Sequence, residues 1–328
     1  MAEGYALGVD VGGTKIYAGV VDLTSGAVLA TARKRTHPER GADFFAQRLL
    51  DVAEAAVDNA KLPHGAHLLG CGIGLAGQVD RERGLLVGTP NLARGVVDMP
   101  VRDLLEKRLG LPVALGNDVE IAALGEQHYG AGKSCTDFVC VFVGTGVGGA
   151  IIEGGELRRG ATGTAGEIGH TVIQYDGRLC GCGGRGHLEA YASRTAITRV
   201  LLAELARGRQ SLLSELHKPG DVTVRSKVLA RCEQEGDALV LETLREAGDY
   251  LGAGLASLAD LVNPERIIIG GGLIDATKTV FERAERKARE IALPVPGREL
   301  DIRRTALGDD SGIIGAAWMA AQQSAQRA

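Results

Sequence analysis

A chain of 328 residues, 45% of them apolar, can bury a full core and is expected to divide into about two domains. Its net charge of −4, with acids and bases interspersed, leaves no basic stripe for phosphate backbones or anionic lipid, which excludes nucleic acid as a partner. No apolar run approaches membrane-spanning length, and the N-terminus, MAEGYALGVDVGG, lacks the basic-then-apolar layout of a signal peptide, so a cytoplasmic protein with no membrane partner is expected.

Residues 5–22, YALGVDVGGTKIYAGVVD, read as strand, glycine turn, strand, because β-branched residues alternate around Gly12 and Gly13. Residues 43–61 carry helical spacing of Phe, Leu, Val and Ala and end before Pro63. A strand is predicted at 68–75, a helix at 101–109, a short strand at 112–115, and after Asp118 a helix, VEIAALGEQHYGAG, that glycine stops. Residues 138–157, FVCVFVGTGVGGAIIEGGEL, repeat the opening grammar, with two apolar strands around a Gly-Thr-Gly turn. Two such copies point to an internal duplication, one hairpin in each of two similar domains, although a glycine-rich hairpin is also a common turn. Residues 196–258 are mostly helical with a break at Pro219, 266–269 form a short buried strand running into Gly270, Gly271 and Gly272, and 311–323 form a helix rich in small residues. This alternation gives an α/β class.

Several segments carry chemistry. Glycine is abundant, 48 residues, and its clusters mark places where backbone turns tightly or approaches a ligand. In DVGGTK, from Asp10 to Lys15, Gly12 and Gly13 let backbone N–H groups converge on phosphate oxygens, Thr14 and Lys15 add donors, and Asp10 can hold a hydrated divalent cation. GTGVGG, opening with Gly144, Thr145 and Gly146, repeats the device without a carboxylate. Neither copy is a P-loop, which needs Lys-Ser/Thr opening a helix, and neither is a dinucleotide fingerprint, since a strand follows the glycines. Of the six cysteines, Cys71, Cys135, Cys140, Cys180, Cys182 and Cys232, only Cys180 and Cys182 lie close together, which argues for thiols and a metal rather than a disulfide framework. Asp118, between Asn117 and an apolar helix, reads by local pattern as a helix N-cap.

Taken in order, DVGGTK, GNDVEIAALGE, GTGVGGAI, GTAGEIGH, CGCGGRGHLEAYAS and NPERIIIGGG resemble the ROK family of sugar kinases and sugar-responsive repressors, and among them the bacterial glucokinases. The resemblance covers essentially the whole chain. It implies a duplicated actin-like, ribonuclease-H-like ATPase fold with two domains around a cleft that closes on sugar. The expected division is a smaller domain at 1–117, completed by the C-terminal helix at 311–328, and a larger one at 118–310.

The resemblance implies transfer of the terminal phosphoryl group of ATP, with Mg²⁺, to the 6-hydroxyl of a hexose, D-glucose foremost. In that context Asp118 becomes the base that takes the hydroxyl proton. Asn91, Asn117, Glu167, His170 and Glu189 are implied as sugar contacts, the turn at Gly144 as a phosphate site, and Gly271 with Gly272 as support for the adenosine. Each has a plainer alternative: Asn91 in a turn, Glu189 as an exposed helix carboxylate, Glu167 and His170 as a structural pair, the glycines as a strand-to-helix connection. Mannose, fructose, N-acetylglucosamine and N-acetylmannosamine are the alternative sugars, and polyphosphate the alternative donor, which no long basic groove favours. A repressor of this family carries a helix-turn-helix domain ahead of the kinase-like part. Here the phosphate hairpin begins within the first dozen residues, so a kinase is expected, as a homodimer or homotetramer.

A structural Zn²⁺ is expected on His170, Cys180, Cys182 and His187. The two thiolates of a Cys-Gly-Cys pair are too close for a comfortable disulfide and suit one tetrahedral ion. The family normally has a third cysteine where His187 stands, but histidine is an ordinary zinc ligand. The alternative is a pair of free thiols in a glycine-rich loop with His187 exposed.

Overall fold

The structure, a computed structural model, describes residues 4–88, 96–218 and 220–327. The chain opens with strands β1 (Tyr5–Val11), β2 (Lys15–Asp22) and β3 (Val28–Arg35), then helix α1 (Ala42–Asn59) and β4 (Leu68–Leu75). A small hairpin, β5 (Gln78–Asp80) and β6 (Leu85–Gly88), precedes α2 (Val101–Leu109), β7 (Val113–Asn117) and α3 (Asp118–Tyr129). The second half repeats the opening with β8 (Phe138–Val143), β9 (Val147–Glu153) and β10 (Glu156–Leu157). Helices follow as α4 (Glu189–Ala192), α5 (Arg194–Ala206), α6 (Leu213–Leu216), α7 (Ser226–Gln234) and α8 (Ala238–Val262). Then come β11 (Arg266–Gly270), α9 (Gly272–Ala276), α10 (Thr279–Ile291), α11 (Pro294–Glu299), β12 (Ile302–Arg304) and α12 (Ser311–Arg327).

Two sheets of five strands confirm the duplication. The first runs β3-β2-β1-β4-β7, the second β10-β9-β8-β11-β12. In each, a three-stranded antiparallel meander is extended by two strands parallel to the first of the chain. The repeated strand, glycine turn, strand pattern of the sequence is thus the meander's first hairpin in both halves. The predicted strand at 112–115 runs on to Asn117, and the helical stretch at 196–258 resolves into α5 to α8; Pro219 lies outside the described residues.

The chain forms two compact units, residues 1–134 with 309–328, and residues 135–308. The first therefore extends past the expected boundary at 117, because α3 packs on α12 and stays with the first sheet. Phe45, Leu49, Val52 and Ala53 of α1 and Leu105 of α2 bury one face of that sheet against Leu7, Val9 and Val11. The other face receives α12, and here the contact is backbone on backbone. Gly19, Gly8 and Gly72 stand side by side across β2, β1 and β4. A Cβ on Gly8 would lie 1.8 Å from the Ile313 carbonyl oxygen, and one on Gly72 1.8 Å from that of Ala316. On the far side of α12, a Cβ on Gly315 would lie 1.7 Å from the Ile121 carbonyl oxygen of α3. In the second unit α8 and α10 build the main helical layer over β8 and β11, with Leu244, Leu251, Leu255, Ile267 and Ile269 fully buried.

His128 of α3 stacks on Trp318 of α12, ring centroids 3.8 Å apart, and its buried Nε2 has no hydrogen-bond partner among the described residues. Burial pushes its pKa down from 6.5 to about 4.

Two outcomes are expected. Gly72→Ala should cost about 3 kcal/mol in chemical denaturation, since the added methyl meets helix backbone that cannot rotate away, whereas Gly88→Ala, with open space around it, should stay within about 0.5 kcal/mol. His128, whose folded pKa lies below its unfolded value, supports stability fully above pH 6.5 and loses it as pH falls toward 4. The loss is about 2 kcal/mol once partial solvent access is allowed for. His128→Phe should flatten the melting temperature over that window relative to the wild type; an unchanged slope would contradict the assignment.

Candidate active site

In the first unit the parallel strands β1, β4 and β7 end level with one another, Val11 beside Leu75 beside Asn117. The carboxyl ends of parallel strands are where open α/β sheets present their ligand groups. Asp10 sits one residue from the end of β1, and Asp118 follows directly on β7. Two glycines make the approach possible: Gly74 of β4, whose Cβ would be 3.4 Å from the Asp118 Cα, and Gly312, whose Cβ would be 3.0 Å from the Asp10 carboxyl carbon.

The N-cap of α3 is Asn117, not Asp118. The Asn117 Oδ1 accepts from the Val119 and Glu120 amides, at 2.9 and 3.4 Å, and Glu120 returns a bond to the Asn117 amide, closing a capping box. Arg81 pairs with Glu120 behind it, and the Asn117 Nδ2 donates to the Gly77 carbonyl at 3.3 Å. Asp118 is therefore the first helical residue and not the cap.

The turn between β1 and β2 is pinned by its carbonyls. Gly12 N–H donates to the Lys15 carbonyl at 3.0 Å, while the Thr36 hydroxyl donates to the Gly12 carbonyl at 2.9 Å and the Thr36 amide to the Thr14 carbonyl at 3.1 Å. The Gly13 and Thr14 amides have no acceptor among the described residues, the arrangement that cradles an anion. Lys15 pairs with Asp309 at 2.9 Å, and the Tyr17 hydroxyl donates to Asp310 at 2.8 Å. Burial, with the Asp118 carboxylate next and Asp309 adding to it against Lys15, pushes Asp10 up to about 7. Asp10 thus feels two further carboxylates against one lysine, an excess of negative charge that a divalent cation would offset.

The second unit carries the other predicted groups. At the turn between β8 and β9, Gly144 N–H donates to the Gly146 carbonyl at 2.9 Å, and the Thr145 and Gly146 amides have no acceptor among the described residues. The start of α5 props this turn from below: Arg194 N–H donates to the Gly144 carbonyl at 2.9 Å and the Thr195 hydroxyl to the Thr145 carbonyl at 2.7 Å. Glu189 reaches the same turn, accepting from the Val147 amide at 3.0 Å, and a Cβ on Gly146 would lie 2.3 Å from the Glu189 Oε2 and displace that carboxylate. The other Glu189 oxygen accepts from the Cys180 thiol at 3.5 Å. Glu189 is accordingly no free surface carboxylate.

His170, Cys180, Cys182 and His187 come together, their donor atoms all within 4.8 Å of one another. Cys180 Sγ is 3.9 Å from His170 Nδ1, and Cys182 Sγ is 3.2 Å from His187 Nδ1. Donors on a tetrahedral zinc lie roughly 3.4–3.8 Å apart, so two sulfurs and two imidazole nitrogens in this arrangement fit that ion. His187 is half-buried rather than exposed. The His170 Nε2 faces Glu167, 3.9 Å away, across a short 3₁₀ turn. Gly271, at φ +96°, lies against β8: its Cβ would meet the Val143 carbonyl oxygen at 2.7 Å, so strand packing alone requires glycine there, whereas Gly272 borders open space. Asn91 lies outside the described residues. Asp309 and Arg194 escaped sequence reasoning; their signals were the acid pair just before α12 and the base directly after LEAYAS.

The model of the ROK family matches residues 6–323. A glucokinase of Streptomyces coelicolor is 36% identical over 97% of this chain and 98% of its own length. Among solved structures, a ROK family glucokinase from Streptomyces griseus, in complex with glucose and AMPPNP, is 37% identical with a TM-score of 0.81, covering 97% of this chain and 100% of that one. The ROK hexokinase from Thermus thermophilus is 33% identical with a TM-score of 0.76 over 99% and 100%. The duplicated units are those of the actin-like, ribonuclease-H-like fold of these kinases.

Proposed function

The chain belongs to the ROK family, and on that premise we propose that it is an ATP-dependent glucokinase, transferring the γ-phosphoryl group of ATP to the 6-hydroxyl of D-glucose. The observation that carries the reading is Asp118, the residue after the α3 cap, standing at the ends of parallel strands where its charge acts on Asp10. Glucose is preferred over the other hexoses because glucokinases at 33–36% identity match over nearly their full length.

A sugar hydroxyl is a weak nucleophile. As its oxygen bonds to the γ-phosphorus and the bond from phosphorus to the β-bridging oxygen breaks, the hydroxyl proton passes to Asp118 and ADP leaves with the bond's electron pair. The turn of Gly12, Gly13, Thr14 and Lys15 and the turn of Gly144, Thr145 and Gly146 each offer donors to phosphate oxygens. Asp10 would hold Mg²⁺, which neutralises phosphate charge when bound. Gly272, with open space around it, supports the adenosine, while Gly271 shapes the strand end.

Asn91, Asn117, Glu167, His170 and Glu189 hold the sugar. Asn117, whose Nδ2 already donates one hydrogen to the Gly77 carbonyl, keeps the second for this. Glu189, with two oxygens and about four lone-pair sites, can accept from a sugar hydroxyl as well as from Val147. Zinc on His170 Nδ1, Cys180, Cys182 and His187 would fix the His170 ring, leaving Nε2 to face sugar and Glu167. Six free thiols suit a cytosolic setting.

Asp118→Asn is expected to lower kcat by about 10²- to 10⁴-fold and leave glucose affinity in calorimetry essentially unchanged; near-normal turnover would remove Asp118 from its role. In a coupled assay glucose should be phosphorylated ahead of mannose, fructose, N-acetylglucosamine and N-acetylmannosamine. Elemental analysis should find about one zinc per chain, and His187→Ala should release it and weaken glucose binding more than ATP binding. Fully active, zinc-free protein would end the metal assignment.

A further inference from the structure

Beside the Gly144–Gly146 turn stands a cation without an acid. Arg194, the first residue of α5, is half-buried. Its Nη2 donates to the Thr145 hydroxyl oxygen at 2.7 Å and its Nη1 to the Ser226 hydroxyl at 3.4 Å. Both partners are neutral, and no carboxylate among the described residues forms an ion pair with it. Other arginines behave differently: Arg178 pairs with Glu246, Arg266 with Asp301 and Arg283 with Asp249. Burial pushes the Arg194 pKa down, yet a guanidinium keeps its proton in proteins, so the charge persists on a half-buried side chain. A partly desolvated cation that meets only hydroxyls is left without the countercharge that would offset its burial.

The missing anion has an adjoining place to bind. The Thr145 and Gly146 amides, without acceptors of their own among the described residues, belong to the turn that Arg194 touches. Because the guanidinium donates to the Thr145 Oγ1, the hydroxyl proton is left to be given away, which turns Thr145 into a donor toward an incoming oxygen. Two amides, a hydroxyl and a planar guanidinium fork are a donor set suited to phosphate. We propose that Arg194 is a nucleotide-binding residue, contacting the phosphate chain of ATP and ADP at the Gly144–Gly146 turn and orienting Thr145 toward it. This rests on assigning that turn to the nucleotide phosphates.

The test is calorimetric titration of full-length Arg194→Gln and Arg194→Met, both lacking the charge, the second keeping the apolar stem if the first does not fold. ATP and ADP should bind at least about tenfold more weakly than to the wild type, and KM for ATP should rise correspondingly, while adenosine and glucose bind as before. Unchanged ATP and ADP affinity in a folded variant overturns the proposal. A parallel loss of adenosine and glucose affinity overturns it too, since Arg194 would then only brace α5 against α7. Should the wild type bind ATP in an Arg194-dependent way and phosphorylate no hexose, the kinase assignment fails and Arg194 keeps its role.

Discussion

The first unit depends on one close approach, that of the α12 backbone to the sheet. Gly8 and Gly72 leave no side chain between strand and helix, and Gly315 lets α3 come equally near on the other side. With carbonyl oxygens at 1.8 and 1.7 Å from where a Cβ would be, the layers interlock with little room for adjustment. Because α3 is seated through α12, the same contact sets where the first residue of α3, Asp118, stands relative to Asp10 on β1. The segment that completes this layer comes from the far end of the chain, a non-local pairing whose loop-closure cost falls on late folding steps.

The duplicated hairpin has been put to two electrostatic settings. Its first copy lies among Asp10, Asp118 and Asp309 with Lys15 as the local cation, and the crowding raises the Asp10 pKa to about 7. Its second copy has Arg194 beneath it and Glu189 on the flank, the latter also meeting the thiol of Cys180. The backbone offers amide donors in both cases, so the difference in chemistry comes from side chains of neighbouring elements. One turn sits amid an excess of carboxylates, the other beside a guanidinium. Glu189 further ties the second turn to the four-donor cluster, so that a change at the cysteines is felt at Val147 through one carboxylate.

Helix capping separates two roles that look alike in sequence. Asn117 and Asp118 are both good N-cap residues, and adjacent ones compete. The capping box with Glu120, backed by Arg81, decides for Asn117. A carboxylate spent on capping would have its oxygens turned into the helix end; Asp118, one residue later, is not the cap.

Local information in the sequence sufficed for what depends on neighbours along the chain. Alternating β-branched residues around Gly12 and Gly144 marked both hairpins, the small-residue tail marked α12, and six motifs in order marked the family and the residues to examine. Composition excluded membrane spans, and no helix among the described residues is long and apolar enough to be one. What remained open was set by residues distant in sequence. Tyr17 meets Asp310 across 293 positions and Arg194 meets Thr145 across 49, so the acid pair before α12 and the base after LEAYAS did not by themselves disclose their partners. The packing of Gly271 against Val143 had no local sign, and the boundary at 117 moved because α3 is held by a helix nearly 200 residues away. Periodicity and turn chemistry act over a few residues and can be read in one dimension; burial, charge crowding and the choice of cap arise only when the chain returns on itself.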